Sequence, residues 1–82
     1  MPTVDRIHGL RVVIYPNDHR PAHVHVIGKG CEAVFKLSGL GGWPELRENY
    51  GFGAGELSRI KTALASRLTH LCEEWSRIHG LL

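Results

Sequence analysis

Apolar and polar residues alternate through the first half of the chain and switch to a helical period in the second. Thr3-Val4-Asp5-Arg6-Ile7 reads as a short strand, and His8-Gly9 as a tight turn. Leu10-Arg11-Val12-Val13-Ile14-Tyr15 is rich in β-branched residues and predicts a second strand over 10–15. Pro16 to Pro21 is a loop, with proline at both ends and Asn17-Asp18 inside it. The stretch 22–28 (Ala-His-Val-His-Val-Ile-Gly) alternates strictly and predicts a third strand. Lys29-Gly30 is a two-residue hairpin turn, and 31–37 is the fourth strand. A Gly-rich loop follows over 38–43, and 44–49 can add a fifth strand at an edge, where Pro44 is tolerated. From 54 to 79 the apolar residues Leu57, Ile60, Leu64, Leu68, Leu71, Trp75 and Ile78 step by three and four, the signature of one helical face. Gly53 with Glu56 marks the helix start and Gly80 its end. Such a helix is about 36 Å long, enough to cross a four-stranded sheet. The expected fold is therefore α+β: a small, mostly antiparallel sheet of four or five strands, with one long C-terminal helix packed on one face.

Parity then assigns the faces. A two-residue turn at Lys29-Gly30 sets Val24 opposite Phe35 and Val26 opposite Ala33, a coherent apolar face. It sets His23 opposite Lys36, His25 opposite Val34 and Ile27 opposite Glu32 on the other face. A three-residue turn would scramble both faces. In the second strand Leu10, Val12 and Ile14 go under the helix, and Arg11, Val13 and Tyr15 go to the other side. One helix covers one face only. The uncovered face is thus expected to carry Arg11, Tyr15, His23, His25, Glu32 and Lys36, with Asp18 and His19 at its end.

Size and composition narrow the reading further. Eighty-two residues are enough for one domain with a thin core. Its stability should be modest unless a metal, a partner or a second copy in a homodimer adds to it. The formal net charge of +2 is too weak to mark a nucleic-acid binder by itself. Six histidines are the compositional oddity; protonating all of them would carry the charge from +2 to +8. Cys31 and Cys72 show no zinc-finger or disulfide-framework spacing and read as reduced core thiols of a cytoplasmic protein. No signal peptide and no membrane span is visible. No serine-hydrolase motif, phosphate-gripping loop or dinucleotide fingerprint is present.

Two chemistries suit the His face. His23 and His25 stand roughly 7 Å apart at Cα, close enough to share one divalent transition metal. A third ligand would come from Asp18 or His19 in the loop, with Glu32 a weaker candidate; alternatively Asp18 would orient a histidine from behind. Without a metal, the imidazoles can exchange protons at neutral pH, with Tyr15 beside them and Arg11 and Lys36 holding a phosphate. That set would serve RNA cleavage. Elsewhere, Trp43, Tyr50 and Phe52 are expected to close the end of the core, with Trp43 a partner anchor if it is exposed, and His70 and His79 to be solvated helix residues. A partner strand could also pair with a sheet edge.

The segment Asp18-His19-Arg20-Pro21-Ala22-His23-Val24-His25-Val26, preceded by Met1-Pro2-Thr3-Val4 and Arg6-Ile7, resembles a widespread family of small bacterial proteins of unknown function. That family has a central (N/D/E)-H-x-P-P-H-V-H-V segment, a strand containing E-A, and a C-terminal helix ending in tryptophan and glycine. Glu32-Ala33-Val34-Phe35 and Trp75 to Gly80 fit this outline. Ala22 departs from the usual second proline, and Gly53-Ala54-Gly55-Glu56 lacks the usual serine cap. The resemblance implies a toxin-like half of a two-gene module, masked by a cognate small antitoxin-like protein. It carries no catalytic residues over.

Overall fold

The computed structural model describes residues 3–37 and 43–80. The Gly-rich loop expected over 38–43 lies, apart from Trp43, outside the described residues. Five strands run in chain order: β1 Thr3–Ile7, β2 Leu10–Val13, β3 His23–Gly28, β4 Cys31–Lys36 and β5 Glu45–Tyr50. They form a single sheet of order β1-β2-β3-β4-β5 in which every neighbouring pair is antiparallel. The fold is α+β, and the edge strand expected near 44–49 is present.

Two of its hairpins turn on two residues. His8 and Gly9 have φ of 49° and 78°, and Lys29 and Gly30 have φ of 54° and 74°. Paired left-handed residues give the turn twist that matches antiparallel strands. The Lys29-Gly30 turn fixes the β3–β4 register that parity requires: His23 opposite Lys36, Val24 opposite Phe35, His25 opposite Val34, Val26 opposite Ala33 and Ile27 opposite Glu32.

The helical half departs from expectation. There are two helices, α1 Ala54–Ser66 and α2 Leu68–His79, where the apolar period predicts one. Arg67 breaks the run, with φ −115° and ψ 15°. Its N–H bonds to Leu64 O at 3.0 Å, a tightened i−3 contact. The Ser66 hydroxyl donates to Ala63 O at 2.7 Å and so competes for a carbonyl of the last α1 turn. The Arg67 guanidinium reaches Asp5 of β1 at 3.1 Å. The apolar stripe itself continues through the break. Ile60, Leu64, Leu71 and Trp75 are buried and pack with Leu10, Val12, Ile14, Val24, Val26 and Phe35. Gly53 caps α1, its N–H donating to Glu56 at 3.3 Å, and Gly80 ends α2 with φ 81°.

The sheet's second face is less bare than a single covering layer implies. Val13 and Val34, the cross-strand neighbours of His25, are buried at 1% and 6% exposure. The β2–β3 loop folds back beside them, with Asp18 N–H bonded to Tyr15 O at 3.0 Å. Phe52 is buried as expected, but Trp43 and Tyr50 are exposed and do not close the core. His79 is not a solvated helix residue: it is half-buried, its ring stacked on Trp75 at 3.9 Å. Both cysteines are free and half-buried at the core margin, and burial pushes the Cys72 thiol above its ordinary pKa. Among the described residues no helix is long and apolar enough to cross a membrane.

Candidate metal centre

Strand parity puts His23 and His25 on one side of β3, and the β2–β3 loop brings Asp18 to them. Asp18 is held by a reciprocal turn: its Oδ2 accepts the Tyr15 N–H at 3.0 Å while its own N–H donates to the Tyr15 carbonyl. That oxygen lies 3.5 Å from His23 Nε2 and 3.3 Å from His25 Nε2. One ligand atom each from Asp18, His23 and His25 falls within 4.8 Å of the others. The side chains are 14%, 10% and 15% exposed, so the three groups are largely withdrawn from water.

The outer side of each ring is already committed. His23 Nδ1 sits 2.8 Å from Pro21 O. A carbonyl only accepts, so Nδ1 carries the proton and Nε2 of the neutral ring is a bare lone pair. His25 Nδ1 sits 3.0 Å from Glu32 Oε2, and a carboxylate again makes Nδ1 the donor. The Tyr15 ring meets His25 edge-on at 4.9 Å, the two imidazoles meet at 5.3 Å, and Trp75 lies against His23 at 5.3 Å. Both rings are thus fixed in orientation by packing as well as by hydrogen bonds.

Three lone-pair atoms therefore converge, and neither Nε2 contact to Asp18 is a hydrogen bond. His25 Nε2 is buried without a hydrogen-bond partner among the described residues. With both rings neutral, such an arrangement is repulsive unless a cation, either a metal ion or a proton taken up by an imidazole, sits among the atoms. Two of the three spacings suit a metal ion. A tetrahedral ion with bonds of about 2.0–2.1 Å has ligand–ligand edges of about 3.3–3.4 Å; the two edges through Asp18 are 3.3 and 3.5 Å, while the three atoms together lie within 4.8 Å of one another, so the two imidazoles would draw closer around an ion. The residues fit a transition metal in donor type too, two imidazoles and a carboxylate. Glu32 stands behind His25 as the orienting acceptor that metal-bound histidines commonly have. Of the two roles expected of Asp18, the geometry gives it the one that faces the centre, and Glu32, the weaker ligand candidate, stands behind His25 instead.

The remaining candidates are placed differently. His19 is exposed and lies outside the converging set, though it lines the cleft that opens beside it. Tyr15 touches the centre through its ring edge and its amide. Lys36 stands across from His23, but its ammonium reaches Glu45 at 3.9 Å. Arg11 pairs with Ile27, two positions beyond the Val13–His25 pair, in the direction away from Asp18. Neither Arg11 nor Lys36 lines the cleft. His23 is packed against the indole instead of lying on an open surface, because Trp75 of α2 reaches the end of β3. The cleft, of about 280 Å³, runs from Asn17–Arg20 across His23, His25 and Val34 to Arg47 and Glu48 on β5. Sequence reasoning misses Asn17, Arg20, Glu48 and Arg47 as lining residues, and Arg47 owes its position to a bulge.

A meandering sheet backed by two helices, with a His–His–Asp centre under its central loop, defines a small α+β protein with a candidate metal site. Residues 9–76 match the family model DUF4160, described as a domain of unknown function, and the chain belongs to that family. No curated protein and no solved structure matches the chain.

Proposed function

We propose that this protein binds one divalent transition metal through Asp18, His23 and His25 and keeps one coordination position open to the cleft. The observation that carries this reading is the convergence of three lone-pair atoms, with the outer nitrogen of each imidazole already bonded, to Pro21 O and to Glu32. Three protein ligands and an open position make the arrangement of a catalytic centre, not of a structural one, which is closed by four. When bound, the ion would polarise a substrate oxygen or activate a water. The protein's own part is to hold both Nε2 atoms toward Asp18, through Pro21 O and Glu32, and to keep the donors dry under the loop. Metal-free acid–base chemistry on phosphate is less well supported, since Arg11 and Lys36 do not face the cleft.

Equilibrium dialysis with zinc, nickel or iron(II) tests the proposal. One ion per chain is expected for at least one of these metals. Asp18→Asn, His23→Ala and His25→Ala should each lower the affinity by roughly a hundredfold or more, since each removes one of three ligands. Sub-stoichiometric binding to the folded wild type with all three metals would refute the reading.

A further inference from the structure

The β4–β5 ladder contains an irregularity that points into the cleft. Its register passes from Val34 opposite Glu48 directly to Phe35 opposite Leu46, leaving Arg47 as the extra residue of a bulge. Bulges re-aim side chains and recur beside active sites. Here Glu48 stands opposite Val34 on the His side, Leu46 stands opposite Phe35 on the helix side, and the unpaired Arg47 lines the cleft. Plain alternation from Glu48 would instead have sent Arg47 to the helix side.

The Arg47 guanidinium makes no hydrogen bond or ion pair with the described residues. Its acidic neighbour is engaged elsewhere, for Glu48 Oε1 accepts the Tyr50 hydroxyl at 2.9 Å. A guanidinium with no carboxylate partner, set across a small polar cleft from a metal with an open position, is half of a two-point anion site. We propose that the cleft binds a phosphoryl group, with one oxygen on the metal held by Asp18, His23 and His25 and two oxygens on the Arg47 fork. This rests on the metal reading above. Oxygen count selects the ligand class. The fork takes two oxygens and the metal takes one, which a tetrahedral phosphate supplies and a planar carboxylate does not. Charge agrees, because a divalent ion together with Arg20 and Arg47 outweighs the carboxylates of Asp18 and Glu48 and leaves the cleft positive for a dianion. Size agrees as well: about 280 Å³ is just below the range of drug-sized ligand pockets and suits a phosphate or the end of a phosphomonoester.

Calorimetric titration of the zinc-loaded chain tests the proposal, with inorganic phosphate in one arm and phenyl phosphate in the other. Zinc stoichiometry is established first, so failure at that step sinks the metal reading and is seen before any phosphate is added. Given a loaded site, saturable phosphate binding is expected. It should weaken by roughly tenfold to a hundredfold in Arg47→Ala, the worth of a charged hydrogen-bonding partner, while zinc affinity stays unchanged. Arg47 is exposed on an edge strand, so the variant keeps the fold. Binding in the inorganic arm alone assigns the free ion, and binding in both arms assigns a monoester terminus. Equal phosphate affinity in wild type and Arg47→Ala, or acetate binding as tightly as phosphate, overturns the proposal with the metal site intact.

Discussion

At the scale of single residues, the candidate centre turns on which atoms already have partners. His25 is the clearest case: one ring nitrogen is bonded to Glu32 at 3.0 Å and the other points at Asp18. Glu32 acts through His25 and is a positioning residue. Glu32→Gln keeps an acceptor of similar shape but removes the charge that favours the Nδ1-H form and strengthens the ring as a donor to metal. Zinc affinity should fall by about 10- to 100-fold, the usual cost of losing an outer partner, with one ion still bound at saturation. A competing chromophoric chelator measures this. The melting temperature of the metal-free chain should barely move, because Glu32 is 41% exposed; a large drop there would make its role merely structural. Parity alone brings His23 and His25 together, and the loop composition puts Asp18 and His19 within reach. Choosing between those two requires the turn in which the Tyr15 amide grips the Asp18 carboxylate. Arg47 carries no local signal, since a bulge arises from the pairing of two strands and not from either one.

Individual elements were legible to different degrees for physical reasons. Strands and two-residue turns are local, so the β3–β4 register follows from alternation plus Lys29-Gly30. The break at Arg67 does not, because no proline or glycine marks it and the apolar stripe runs through unbroken. It depends on Ser66 back-bonding to Ala63 and on the ion pair to Asp5, which lies more than sixty positions away in the chain. The turn that was legible is also improvable. Lys29 holds φ at 54°, in the left-handed region that costs an ordinary side chain roughly 1–2 kcal/mol. Asparagine visits that region readily, and Asn-Gly is a favoured pair for this turn. Lys29→Asn should therefore stabilise the chain by about 0.5–1 kcal/mol, which for a domain this size raises the thermal midpoint by about 2–8 °C. Thermal denaturation followed by circular dichroism checks it. A lowered midpoint would mean that the Lys29 side chain contributes more to the hairpin than its backbone conformation costs.

On the scale of the whole molecule, the helix layer and the candidate centre share a side chain. Trp75 is fully buried in the core under α2, and the same indole lies against His23. The loop that supplies Asp18 closes over the opposite face beside Val34. An ion at this centre would tie β3 to the β2–β3 loop, with the helix layer fixed behind His23. The target and the partner implied by the family resemblance are contacts outside the chain, which neither alternation nor period encodes. The ion's effect on the fold is internal and can be calculated. A ligand that binds only the folded state, present at about a hundred times its dissociation constant, adds about 2.7 kcal/mol. For a domain of this size each kcal/mol moves the midpoint by about 4–8 °C, so zinc at that excess should raise it by roughly 10–20 °C and a chelator should reverse the rise. Asp18→Asn lacks the anionic ligand and should show almost none of this gain at the same zinc concentration. An equal rise in the variant would mean that zinc stabilises the fold from some other place, and the imidazoles of His23 and His25 would then be packing groups around a buried carboxylate.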